Sequence, residues 1–122
     1  MKIECKGQLV RVFVSSADRW HGKPLHREIV AAAREAGMAG ATVLHGLEGY
    51  GTSSRLHTTK ILRLSDDLPI VVEIVDKPER IRKFMPTLDE MVAEGLITVE
   101  DVDIVAYRRA PSGGEKPTGE PE

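Results

Sequence analysis

The chain has 122 residues, of which 30% are charged and 41% apolar, with one cysteine and a formal charge of −2. That length suffices for one domain whose core needs neither disulfides nor metals. Met1 to Arg109 carries 16 basic and 16 acidic side chains, because Ala110 to Glu122 holds one lysine and three glutamates. A neutral domain argues against general DNA or RNA binding, which leans on net positive charge. Cys5 stands alone, so no intrachain disulfide forms and a reducing compartment is the natural setting. The start, MKIECKGQLV, lacks a long apolar stretch, and no window approaches 18 apolar residues. A cytoplasmic protein is expected.

Gln8 to Val14 (QLVRVFV) is β-branched and aromatic, and Ser15, Ser16 and Asp18 end it, which predicts a strand. Leu25, Ile29, Ala32, Ala33 and Ala36 then recur at helical spacing. Pro24 suits the first turn of that helix and Gly37 the left-handed residue past its end. Trp20, just before the helix, suits a hydrophobic staple. Ala41 to Leu47 predicts a second strand. Leu56 to Leu64 predicts a third, pairing back across the Gly49–Arg55 turn. Pro69 to Val75 (PIVVEIV) is a nearly continuous apolar run, the pattern of a buried strand. Asp76 with Glu79 predicts a capping box, followed by a helix through Ile81, Phe84, Leu88 and Met91 that Gly95 stops and Pro86 kinks. Val102 to Tyr107 reads as an edge strand.

This order predicts an α+β fold, a ferredoxin-like βαββαβ sandwich with an antiparallel sheet and two helices on one face. The domain is expected over 1–109. Ala110 to Glu122, rich in Pro, Gly and Glu, is expected to be a disordered tail. The sheet's other face needs a cover, and oligomerisation through it would also create clefts between subunits.

The chemistry concentrates between Gly37 and Pro69. The second strand runs into Gly49-Tyr50-Gly51, a turn that leaves backbone N–H groups free for a ligand. Thr52 to Leu64 carries Arg55, His57, Lys60 and Arg63 with no acidic residue among them. Turn glycines beside a cationic excess suit an anion such as a nucleotide phosphate. The bland alternatives are an ordinary hairpin and a solvated basic loop.

Enzyme readings are weaker. Asp66 and Asp67 suit a turn before Pro69, Asp89 and Glu90 a helix surface, and Ser53-Ser54 has no base nearby in sequence. The four histidines lack zinc-site spacing. His45, on the strand face of Val43 and Leu47, reads as a satisfied, partly buried side chain, so no metal site is assigned.

Gly40-Ala41-Thr42-Val43, Gly49-Tyr50-Gly51 and Leu64-Ser65-Asp66-Asp67-Leu68-Pro69-Ile70-Val71-Val72-Glu73 together resemble the PII-like signalling superfamily. Within it, Leu9 to Tyr107 most resembles domain of unknown function 190. The resemblance implies a homotrimer that binds adenine nucleotides in inter-subunit clefts. It also implies a loop, here 49–63, that docks on a membrane transporter or an enzyme; the neutral charge argues against a nucleic-acid partner. Carried over by position, Thr42 would lie beside the base and Gly49 and Gly51 at the loop root. Arg108 and Arg109 would stand in for the superfamily's terminal arginines.

Tyr50 suits base stacking or packing in the oligomer, and Arg63 suits a phosphate. Ile70 replaces a superfamily lysine, and Glu94-Gly95-Leu96-Ile97-Thr98-Val99-Glu100 replaces a glycine- and lysine-rich run. Fewer cations favour AMP or a cyclic monophosphate over ATP. No cofactor is required. The alternative is a structural or metal-binding trimer of the divalent-metal-tolerance type, with no nucleotide role.

Overall fold

Alternating apolar residues make β1 (Cys5–Ser15), which buries Val10, Val12 and Val14 on one face. The computed structural model describes residues 2–51, 56–58 and 68–110, with the backbone alone at 56–58. The expected tail lies, but for Ala110, outside the described residues.

A two-residue turn follows β1. β2 (Arg19–Trp20) pairs with β3 (Lys23–Pro24) across His21 and Gly22, whose φ values of 51° and 83° are those of a type I′ hairpin. Trp20 packs against the core and its ring stacks on His21, with centroids 4.3 Å apart.

Helix α1 (Leu25–Glu35) buries Leu25, Ile29 and Ala33, as the spacing predicts. It closes in a Schellman arrangement: Gly37 N–H donates to Arg34 O, Met38 N–H donates to Ala33 O, and Gly37 takes φ 77°.

β4 (Ala41–His45) is shorter than the expected Ala41–Leu47, and β5 (Glu48–Tyr50) pairs with β6 (Leu56–Thr58) as a separate hairpin. The pairing back across the Gly49–Arg55 turn is therefore present, but onto β5 rather than β4. β7 (Pro69–Asp76) buries Ile70, Val72 and Ile74. Helix α2 (Pro78–Met91) runs through Pro86 and buries Ile81, Phe84, Leu88 and Met91. β8 (Leu96–Ile104) begins and ends earlier than the expected Val102–Tyr107 strand. It is also longer, because its whole length pairs with β1.

The main sheet has the order β4-β7-β1-β8, and its strand pairs are antiparallel. Both helices pack on the face that carries Val10, Val12, Val14, Ile70, Val72 and Ile74. This is the ferredoxin-like α+β plan.

The capping box is corrected. The N-cap of α2 is Lys77, without a side-chain cap, and Pro78 opens the helix. Asp76 is still extended, pairs with Gln8 and is only 7% exposed. Its carboxylate accepts from Ala39 N–H (2.9 Å), Lys77 N–H (2.7 Å) and Arg80 Nε (3.1 Å). Pro78 dictates this: proline favours the first helical position, so the residue before it becomes the N-cap.

Candidate functional site

The strand register arranges the sheet face away from the helices in rows. Leu44, Val71, Phe13 and Leu96 make an apolar row, and Thr42, Glu73, Arg11 and Thr98 a polar one beside it. Leu44, Phe13 and Leu96 are exposed. Arg11 is the centre of an ion triad, donating through Nε to Glu73 Oε2 and through Nη1 to Glu100 Oε1, each at 2.9 Å. Thr42 is exposed on this face, directly across from Glu73. The triad was not singled out in the sequence. Its signal is a charge interrupting the apolar run Leu9-Val10-Arg11-Val12-Phe13.

The loop before Thr42 is held from three sides. Asp76 accepts from Ala39 N–H, Arg80 donates to Gly37 O, and Tyr107 Oη donates to Ala39 O at 3.1 Å. The last contact ties Tyr107, after β8, to the loop before β4, and Arg108 and Arg109, which follow it, are exposed.

Gly49, Tyr50 and Gly51 lie at the other end. There Gly46 N–H donates to Pro69 O (2.8 Å), and a Cβ on Gly46 would stand 2.9 Å from Pro69 Cγ. Tyr50 is 72% exposed. The four steps from Ala41 to His45 make β4 about 13 Å long. Within one subunit Thr42 and the Gly49–Gly51 turn therefore lie toward opposite ends of β4. Arg63, like Arg55 and Lys60, lies outside the described residues.

His45 is corrected: it is exposed, at the end of an edge strand. Its ring stands edge-on to that of His26 in α1, with centroids 6.0 Å apart, and His26 Nδ1 is buried without a hydrogen-bond partner. Burial, then the positive charge of His45, Arg27 and Arg19, lowers the His26 pKa below its ordinary value. Among the described residues, no group of three or more His, Cys, Asp or Glu side chains could hold a metal ion. No helix among them is long and apolar enough to cross a membrane.

This fold, a four-stranded antiparallel sheet backed by two helices, is shared with PII-like proteins of known structure. It matches a candidate PII-like signalling protein of Thermus thermophilus with a TM-score of 0.62 at 19% identity, covering 86% of this chain and 94% of that one. CPII, a nitrogen regulatory PII-like protein from Thiomonas intermedia K12 bound to ADP, AMP and bicarbonate, matches with a TM-score of 0.58 at 16% identity, covering 83% and 90%.

Sequence places the chain more narrowly. Residues 7–104 match the DUF190 family model, described as "Uncharacterized ACR". A UPF0166 protein of Aquifex aeolicus (strain VF5) is 38% identical over 102 residues, 82% of this chain and 94% of the relative. One of Methanocaldococcus jannaschii is 31% identical over 100 residues, 81% and 92%. The chain belongs to the DUF190/UPF0166 family.

Proposed function

We propose that this protein is a PII-like regulator: a homotrimer that binds an AMP-like adenine nucleotide between subunits and signals through residues 49–63 to a membrane transporter or an enzyme. The observation that carries this reading is the uncovered sheet face with Thr42 on it. A second copy set against that face would cover exposed Leu44, Phe13 and Leu96. It would also create a cleft in which one subunit's Thr42, Arg108 and Arg109 meet the glycine hairpin of the next. The ADP and AMP bound to CPII on this fold support the ligand class.

Ile70 and the Glu94–Glu100 segment supply no lysine, which favours a monophosphate. Catalysis is not part of the proposal: the sequence offers no nucleophile and base at a recognised spacing.

Isothermal titration with AMP, ADP, ATP, cyclic AMP, zinc and copper, alongside light scattering, tests it. The expected result is a trimer that binds AMP more tightly than ATP, with affinity reduced in Arg108→Ala or Arg109→Ala at unchanged mass. A monomer that gives no heat with any nucleotide overturns it. Stoichiometric zinc or copper without nucleotide selects the metal-binding trimer instead.

A further inference from the structure

We propose that the segment after β8, Val105 to Arg109, is a releasable strap across one end of the main sheet, latched by Tyr107, whose opening frees Arg108 and Arg109. The strand order places β8 and β4 at opposite edges of that sheet, with β1 and β7 between them. Each neighbouring pair is antiparallel, so the end of β8 and the start of β4 lie at the same end of the sheet. Three inter-strand steps separate the two edges, about 14 Å. Tyr107 Oη nevertheless donates to Ala39 O, in the loop before β4, at 3.1 Å. Val105, Ala106 and Tyr107 supply at most about 11 Å of chain, so this segment runs across the sheet end and the phenol completes the crossing.

The two sides of the latch are unequal. Ala39 is the fixed side. Its N–H donates to Asp76 Oδ2 at 2.9 Å, the oxygen that also accepts from Arg80 Nε, and Arg80 donates in turn to Gly37 O. Asp76 is buried, so pulling Ala39 away would strip a donor from a carboxylate that has little access to water, which is costly.

The strap is the moving side. Val105 to Ala110 belongs to no helix or strand, and its residues are exposed. Among the described residues, the bond to Ala39 is the one side-chain hydrogen bond that this segment makes. Breaking it leaves a phenol and a carbonyl on exposed residues, and water takes up both at small cost. Opening therefore detaches the strap and leaves the loop in place. Arg108 directly follows the latch, so the closed strap ties both arginines to the fixed loop and the open one releases them. The strap rests on the nucleotide reading for its purpose, since that reading assigns these two cations to the ligand, but not for its existence.

The test is limited tryptic digestion of the full chain and of Tyr107→Phe, which keeps the ring and removes the latch donor, with mass spectrometry reading each cleavage site. Where opening is fast relative to cleavage, the rate follows the population of the open form. A hydrogen bond of ordinary net worth predicts cleavage after Arg108 and Arg109 about two- to tenfold faster in the variant. Cleavage after Arg82 and Lys83, inside α2, reports opening of the fold itself and is expected to keep its rate.

Equal rates after Arg108 and Arg109 in the two proteins overturn the strap. So does a rise matched at Arg82 and Lys83, which would make Tyr107 a contributor to general stability and not a latch. Calorimetric titration of AMP into both proteins keeps the two proposals apart. No heat in either removes the nucleotide reading and leaves a strap that passes the digestion test intact.

Discussion

Gly95 has no room for a side chain. Its φ is 152°, and an added Cβ would meet Phe13 O at 2.7 Å, a backbone atom that moves only with β1. Gly95→Ala is therefore expected to lower stability by more than about 1 kcal/mol. Gly40→Ala, with nothing within 4 Å of the new methyl, serves as the control in the same urea titration.

His26 gives a pH dependence of known sign. Its folded pKa lies below the ordinary value of 6.5, so the folded chain binds fewer protons than the unfolded one as pH falls past that value. The stabilisation is full above pH 6.5 and is lost as pH falls from there toward the folded pKa. Melting temperatures measured across this range are expected to fall with acidification, and less steeply in His26→Gln.

At the scale of elements, α2 carries an internal penalty. Pro86 removes a backbone donor and crowds the preceding turn, yet the helix runs from Pro78 to Met91 through it. Pro86 is exposed, so Pro86→Ala loses no core contact and is expected to stabilise the fold by about 1–3 kcal/mol, read from denaturant midpoints.

The elements themselves were legible because local rules agreed with packing. Leu25, Ile29 and Ala33 mark one face of α1, Gly37 closes it, and PIVVEIV is a strand buried beside two others. What the sequence hid depended on partners remote along the chain. Asp76 looked like a cap because Glu79 follows it, but its bonds run to Ala39 and Arg80, and only the fold brings Ala39 to it. His45 shares a face with Val43, and its exposure follows from lying at the end of an edge strand. Of the candidate site, Thr42 and the glycine turn were legible as local features. The Tyr107–Ala39 bond, which ties the segment after β8 to the loop before Thr42, is one that no spacing rule encodes.

For the whole molecule, the proposed association would run through the sheet's outer face. Its apolar row crosses all four strands, with the Arg11 triad beside it. Leu44 is 47% exposed in the single subunit, so Leu44→Glu should leave the fold intact. It is expected to abolish association through this face, and light scattering would show the mass falling to that of one chain. A mass unchanged by the substitution would place the contact elsewhere.

The strand order also brings the beginning and end of the domain side by side. Cys5 pairs with Ile104, and Glu4 N–H donates to Ile104 O at 2.9 Å. The pairing of β1 with β8 therefore closes almost the full contour of the domain, the most entropically demanding step in building the sheet. Joining these neighbouring ends with a short linker and opening the chain after Gly51 would turn that long-range closure into a local hairpin. Such a circular permutant is expected to fold to the same sheet and faster than the parent, which stopped-flow refolding would register.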